Sequence, residues 1–213
     1  PPTSALSRGL GCSHSSVYVY TFDTRTTGIE PNKGFLLEFS QDFAGIGGDT
    51  QFIRTKARAV AQTRVLNEEV TLRATLRGGM LNYSKGSSRT IDRVGLLGAY
   101  LRGVTPDGFG PRQRDAGATY NDALGGNVFV VGSFEAEFPL GLPEEYGISG
   151  GAFYDISNVW DVGASGAGTA DLLYDGGSFR HVGGLAGFWG QPSGPRPVTV
   201  AKGVDKEDRD AVT

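Results

Sequence analysis

Apolar and polar side chains alternate along most of this chain. In the segment 34–43, Phe35, Leu37 and Phe39 share one side of an extended strand, because successive side chains of a strand point to opposite faces. The strands predicted in this way cover residues 14–23, 34–43, 52–65, 68–80, 127–138, 146–160, 178–189 and 196–204. The pattern therefore predicts an all-β fold of about eight antiparallel strands, without a helix of normal length.

Each predicted strand is apolar on one face and polar on the other, which fits either a soluble sandwich or an outer-membrane barrel. The charges on the polar faces differ between strands: they are mainly basic in 52–77 and mainly acidic in 127–155. Such charges are expected to meet across a confined interior. The segments also reach the roughly 9–11 residues that a tilted spanning strand needs. The sequence thus favours an antiparallel transmembrane β-barrel.

Two segments interrupt the alternation. The segment 81–125 is a long Gly-rich loop, and 161–176 is rich in Gly, Ala, Ser and Asp, which predicts a flexible loop. No domain boundary is visible, so residues 1–213 are interpreted as a single barrel segment with one long loop. The start at Pro1, without Met or a signal-like stretch, leaves a mature protein, a fragment or a redesigned piece as alternatives.

Composition excludes several classes of function. No apolar run approaches the roughly 18 residues of a membrane helix. The net charge is −3 and the 20 basic residues are scattered, so no nucleic-acid partner is expected. His14 and His181 lack Cys or carboxylate neighbours at ligand spacing, so neither a metal nor another cofactor is expected.

One motif resembles a hydrolase signature. Residues 147–151 spell G-x-S-x-G around Ser149. The serine of a hydrolase needs a sharp turn from strand to helix, whereas this stretch lies inside a predicted strand with no helix after it. We interpret the match as chance and expect neither catalytic residues nor an enzyme.

Several motifs together resemble a known family. In order along the chain they are Asp23-Thr24-Arg25, Pro31-Asn32-Lys33-Gly34-Phe35, Asp92-Arg93, Leu101-Arg102-Gly103, Gly108-Phe109-Gly110-Pro111-Arg112, Gly125-Gly126-Asn127, Phe138-Pro139-Leu140-Gly141, the stretch 153–160 and Phe188-Trp189 before Gly194-Pro195. Their order and spacing resemble the BamA family of outer-membrane protein assembly factors, within the bacterial surface antigen superfamily. The resemblance spans most of the chain and corresponds to the C-terminal half of a sixteen-stranded barrel.

The resemblance implies a loop that folds into the barrel lumen. Its tip motif is Leu101, Arg102, Gly103 and Val104, with Val104 standing where the family has an aromatic residue. Gly103 would allow a close backbone approach.

The lumen partners of this loop fall at Glu135 and Asp155, and Arg102 is expected to form charge-assisted hydrogen bonds with both. Ser157 stands where the family prefers Gly. There are two simpler alternatives. Arg102 could be a solvated loop residue, and Glu135 and Asp155 could balance basic residues of the barrel wall, namely Arg54, Arg58 or Arg73.

The function implied by the resemblance is insertion and folding of β-barrel proteins in the bacterial outer membrane. The implied partners are the outer-membrane lipid bilayer, nascent outer-membrane β-barrel proteins and assembly-complex lipoproteins. Alternatives are a protein-secretion pore of the two-partner or translocation-and-assembly type, a small closed barrel that serves as an anchor, and a water-soluble protein that borrows the family's strands.

Overall fold

The chain folds as an antiparallel β-sheet. The computed structural model describes residues 15–25, 33–45, 50–67, 69–86, 92–93, 101–103, 110–114, 121–143, 146–163, 171–173, 179–189 and 196–205. The strands are β1 (Ser15–Asp23), β2 (Gly34–Ala44), β3 (Gln51–Val65), β4 (Val70–Lys85), β5 (Arg112–Arg114), β6 (Asn121–Ala123), β7 (Val128–Pro139), β8 (Ile148–Trp160), β9 (Asp171–Leu173), β10 (Arg180–Trp189) and β11 (Arg196–Asp205). No helix in these ranges is long and apolar enough to cross a membrane.

Eight long strands form one sheet in the order β1-β2-β3-β4-β7-β8-β10-β11, and each pair of neighbours is antiparallel. β1 and β11 are the two edges of this sheet as far as the structure describes it. All eight strands predicted from the alternation are present, with bounds that differ by a few residues. The predicted all-β antiparallel fold is confirmed.

The two faces of the sheet differ as the alternation requires. On β2, Phe35, Leu37 and Phe39 are exposed, whereas the intervening Leu36 is buried. Exposed large apolar side chains continue on this face through Leu76 and Leu185. We call it the outer face. A soluble sandwich would cover these rows with a second sheet, and none does so in the described part of the chain.

The opposite, inner face is partly covered by the long loop. Leu101 of this loop is 2% exposed and packs into a buried apolar cluster. The other members of the cluster are Phe129, Val131, Phe153, Val159, Val182 and Ala186. These residues alternate along β7, β8 and β10, so the cluster forms a patch on the inner face that receives the loop.

A glycine on β4 makes room for a ring of this cluster. Gly79 and Phe129 are paired across β4 and β7. A Cβ atom at Gly79 would lie 2.3 Å from Cε1 of Phe129. The absent side chain therefore leaves room for the Phe129 ring next to the backbone of β4.

A second, small sheet joins two loops. β5 pairs with β6 on one side and with β9 on the other, and β9 belongs to the connection between β8 and β10. The segment 161–176, predicted as a flexible loop, therefore contains the strand Asp171–Leu173. The predicted loop 81–125 begins too early, because β4 continues to Lys85, and it contains β5 and β6. Three-residue strands are too short to show an alternation, and their pairing depends on backbone hydrogen bonds, which leave no sequence pattern.

Candidate functional site on the inner face

The loop tip is placed by its buried leucine. Because Leu101 lies in the apolar cluster, the next side chain, Arg102, is held over β7 and β8. Gly103 follows with a φ of +73°. Glycine adopts this left-handed conformation without the steric cost of a Cβ, so the chain can turn away directly after Arg102.

Arg102 donates two parallel hydrogen bonds to the carboxylate of Asp155. Its Nε donates to Oδ2 of Asp155 at 2.9 Å and its Nη2 donates to Oδ1 at 2.8 Å. The backbone N–H of Arg102 also points to Oδ2, at 3.4 Å. Asp155 is fully buried. The planar guanidinium matches a carboxylate in this geometry, which is among the strongest polar contacts that proteins form.

Glu135 is shared by two arginines. Its Oε2 accepts a hydrogen bond from Nη1 of Arg102 at 2.5 Å, and its Oε1 accepts one from Nη1 of Arg73 at 2.7 Å. Nε of Arg73 donates in turn to Oε1 of Gln62 at 3.3 Å. The network therefore runs from β3 through β4 and β7 to the loop and β8. Its two cations and two carboxylates balance, so no net charge is left on the inner wall here.

An aromatic ring completes the site. The guanidinium carbon of Arg102 lies 3.7 Å from the centre of the Phe153 ring. A cation over an aromatic face is attracted by the negative charge density of the ring. Phe153 also belongs to the apolar cluster that holds Leu101. One strand, β8, thus supplies both the carboxylate and the ring that fix the arginine.

The surroundings keep Arg102 charged. Burial lowers the pKa of the Arg102 guanidinium, but the hydrogen bonds and charge of Asp155, followed by those of Glu135, outweigh burial and raise that pKa overall. The site therefore suits permanent non-covalent attachment of the loop. It does not suit proton transfer by Arg102.

The structure brings together five of the six residues singled out in the sequence. Leu101, Arg102 and Gly103 meet Glu135 and Asp155, whereas Val104 lies outside the described residues. The interpretation of Arg102 as a solvated arginine is wrong.

The balancing role proposed for the wall arginines holds for one of them. Arg73 pairs with Glu135 at 2.7 Å. Arg58 instead pairs with Glu38 at 3.0 Å, and Arg54 with Asp42 at 3.7 Å.

The contribution of Phe153 was missed in the sequence, and Arg73 was named there only as one of three possible partners for the carboxylates. Arg73 and Glu135 lie opposite each other in the β4–β7 ladder, and Phe153 lies opposite Glu135 in the β7–β8 ladder. Alternation assigns each residue to a face but does not give the register between strands. Only a known register would have identified these partners.

Other sequence features have local explanations. Ser149 lies within β8, and its hydroxyl donates to Glu137 at 2.5 Å. Nδ1 of His181 lies 2.6 Å from the hydroxyl of Tyr154. Among the described residues, no three His, Cys, Asp or Glu side chains are grouped so that they could hold a metal ion.

Comparison with known proteins identifies relatives for almost the whole chain. Residues 13–213 match the Omp85 superfamily domain. The chain is 30% identical over 182 residues to the outer membrane protein assembly factor BamA of Neorickettsia risticii, which covers 85% of this chain and 23% of that protein. It is 30% identical over 146 residues to a SAM50-like protein of Schizosaccharomyces pombe, covering 65% of this chain and 29% of that protein.

A human relative and a solved structure agree with these matches. The human sorting and assembly machinery component 50 homolog is 29% identical over 135 residues, covering 62% of this chain and 27% of that protein. The crystal structure of BamA from Haemophilus ducreyi lacking POTRA domains 1-3 superimposes with a TM-score of 0.72 at 17% identity, over 93% of this chain and 40% of that one. The fold is therefore that of the BamA barrel. The chain spans about a quarter of the length of the curated relatives it matches.

Proposed function

Because the chain belongs to the Omp85 superfamily, we propose that it forms part of a barrel that inserts and folds β-barrel proteins in the bacterial outer membrane. Two of the relatives named above, from Neorickettsia risticii and from human, are an assembly factor and an assembly-machinery component by name. This supports assembly over a protein-secretion pore or a simple anchor. The proposal includes no catalytic step.

The single observation that carries the proposal is the attachment of Arg102 to the inner face. The outer face carries exposed rows of large apolar side chains, which suits contact with lipid hydrocarbon. The inner face carries the charges, and there Asp155 and Glu135 hold the loop by its arginine. A loop fixed in this way braces the wall from inside while the outer face meets the bilayer.

The proposed partners follow from this arrangement. The lipid bilayer contacts the outer face, and nascent outer-membrane β-barrel proteins are the substrates. Assembly-complex lipoproteins are the expected accessory partners. Edge strands are the usual place for an incoming strand to pair, because their backbone donors and acceptors are unsatisfied.

A reconstituted assembly reaction tests the proposal. The complete protein that carries this chain would be placed in lipid vesicles, and the rate at which an unfolded β-barrel substrate becomes heat-resistant and protease-resistant would be measured. Arg102→Ala is expected to slow this rate, whereas Arg58→Ala, which removes an inner-face arginine that pairs with Glu38, should leave it near wild type. Equal rates for wild type and Arg102→Ala would refute the bracing role, and no substrate folding by the wild type would refute assembly itself.

A further inference from the structure

The long loop touches the inner face at a second place, on different strands from those that hold Arg102. The backbone carbonyl of Asp92 accepts a hydrogen bond from Nη2 of Arg54 on β3 at 2.9 Å. Oδ2 of the same aspartate accepts one from the hydroxyl of Tyr83 on β4 at 3.2 Å. Both the backbone and the side chain of one loop residue are therefore held by the wall.

The two donors are themselves held in position. The guanidinium carbon of Arg54 lies 5.3 Å from the ring centre of Phe52, and its Nη1 lies 3.7 Å from a carboxylate oxygen of Asp42. The ring centres of Phe52 and Tyr83 are 5.5 Å apart, and Tyr83 packs against the buried cluster that contains Phe52 and Leu81. Because Arg54 and Tyr83 are already held by their neighbours, they lose little side-chain entropy when the loop binds to them. This makes their hydrogen bonds to Asp92 more favourable.

The next residue joins the outgoing and returning parts of the loop. Arg93 is 7% exposed and its Nη1 donates to the carbonyl of Leu124 at 3.4 Å. The N–H of Leu124 donates to the carbonyl of Pro111 at 2.9 Å. Fixing Asp92 on β3 and β4 therefore also restrains the segment that leads back into β7.

We propose that Asp92 is a second positioning residue of this loop, and that the Asp92 attachment acts independently of the Arg102 attachment. The two attachments share no hydrogen-bonding partner in the contacts that the structure describes: one uses Arg54 and Tyr83, the other Asp155 and Glu135. This inference deepens the proposed function, because it rests on the loop having a bracing role. Loss of Arg102 alone would loosen the tip but leave the base of the loop on the wall.

The test uses limited proteolysis of the folded, complete protein in detergent micelles, with cleavage inside 81–125 followed by mass spectrometry. Tyr83→Phe removes one hydroxyl and keeps the ring that packs on Phe52. Asp92→Ala removes the side-chain acceptor, and Asp92→Asn restores an oxygen that can accept from Tyr83. Tyr154→Phe is the matched control, because it removes a tyrosine hydroxyl that contacts His181 on the outer face.

The expected pattern follows from the separation of the two attachments. Tyr83→Phe and Asp92→Ala should each raise the cleavage rate about tenfold, the effect of losing one hydrogen bond to a charged group. Combining these two should add little, since they remove the same bond, and Asp92→Asn should stay near wild type. Tyr83→Phe combined with Arg102→Ala should multiply the separate effects to about a hundredfold or more, as expected for independent sites.

Two results would overturn the inference: a combined variant that is cleaved no faster than Arg102→Ala alone, or an Asp92→Asn variant cleaved as fast as Asp92→Ala. Heat-modifiable migration on gels verifies that each barrel is folded, and the Asp92 variants keep the test decisive if changes on the strands prevent folding. Substrate assembly measured on the same variants separates this inference from the proposed function. If the combined variant shows multiplied cleavage rates but unchanged substrate assembly, the second attachment stands and the bracing role is refuted. If assembly slows but the cleavage rates do not multiply, the bracing role stands and the independent second attachment is refuted.

Discussion

The guanidinium of Arg102 lies with one face over the ring of Phe153 while its edge donates two hydrogen bonds to Asp155. Both contacts require a flat cation with donors along one side. Lysine has the same charge, but its compact ammonium group is not planar. It cannot stack on the ring of Phe153 and also donate two parallel hydrogen bonds to Asp155. The identity of this residue, in addition to its charge, is therefore expected to matter.

The first prediction concerns Arg102→Lys. The variant should lose most of the protease resistance of the loop, because one ammonium replaces three donors and a stacked plane, at a cost of about 1–3 kcal/mol. Limited proteolysis within 81–125 measures it. Arg58→Lys is the matched control, since Arg58 makes a single half-exposed contact with Glu38. A lysine variant as resistant as wild type would show that charge alone holds the loop.

The second prediction concerns alkaline pH. A group whose pKa is raised on folding stabilises the folded form below its unfolded pKa and loses that contribution only as pH rises through the folded value. The pKa of Arg102 is raised above its ordinary value, so its contribution should persist throughout the pH range in which a lysine loses its proton. In Arg102→Lys the residual protection should begin to fall near pH 10.4, about the ordinary pKa of lysine. Loop protection against an alkaline protease, measured across this range, is the readout. If the wild-type loop lost its protection at a lower pH than the loop of the lysine variant, the assignment would be contradicted.

The third prediction is a double-mutant cycle between Arg102 and Asp155. Arg102→Ala and Asp155→Ala should lower local loop stability by similar amounts, on the order of 3 kcal/mol, because each removes both hydrogen bonds of the buried ion pair, even though Glu135 still accepts from Arg102 when Asp155 is absent. The double variant should lose little more than either single one. Protease resistance of the loop provides the free energies, and losses that simply add would show that the two residues act separately.

The fourth prediction concerns Ser157. Its side chain is fully buried, and its hydroxyl has no hydrogen-bond partner in the part of the chain that the structure describes. Removing an unsatisfied hydroxyl should be neutral or stabilising by about 1 kcal/mol, so Ser157→Ala should unfold at equal or higher urea concentration. Ser149→Ala is the contrasting variant: its hydroxyl bonds Glu137, and its loss should destabilise. Marked destabilisation by Ser157→Ala would reveal an essential partner for this hydroxyl.

The fifth prediction tests which face meets lipid. Leu76 is 56% exposed on the outer face, near the middle of β4. Leu76→Arg should destabilise the barrel in vesicles by about 2–4 kcal/mol, the cost of placing arginine near the bilayer centre. Thr75→Arg places the same side chain one residue away on the inner face and should cost less. Equal effects of the two changes, measured by unfolding in vesicles, would argue against a lipid-facing outer surface.

Most of the sheet was predictable from the alternation alone. The burial of Leu36 between exposed Phe35 and Leu37 is a direct consequence of a period of two. The small sheet was not predictable, because strands such as Asn121–Ala123 pair through backbone groups and are too short to show a period. Long strands with one consistent face are therefore visible in a sequence, and short pairings between loops are not.

The candidate site was predictable in part. Arg102, Glu135 and Asp155 were named in the sequence because their positions resemble the loop tip and the lumen carboxylates of the BamA family. Asp92 appeared in the sequence only as part of the Asp92-Arg93 motif, and its attachment was not predicted, since half of it is made by a backbone carbonyl. Its other half depends on Tyr83, and a tyrosine in a strand gives no indication of the bond that its hydroxyl makes.

The contact between Phe129 and Gly79 also limits the register in which β4 and β7 can pair. A slip of two residues would keep every side chain on its own face, so hydrophobic patterning alone cannot reject it. Such a slip would place Phe129 opposite Arg77 or Leu81, whose Cβ atoms would occupy the space that the ring needs. The missing side chain therefore disfavours a two-residue slip and helps to set the register between these two strands.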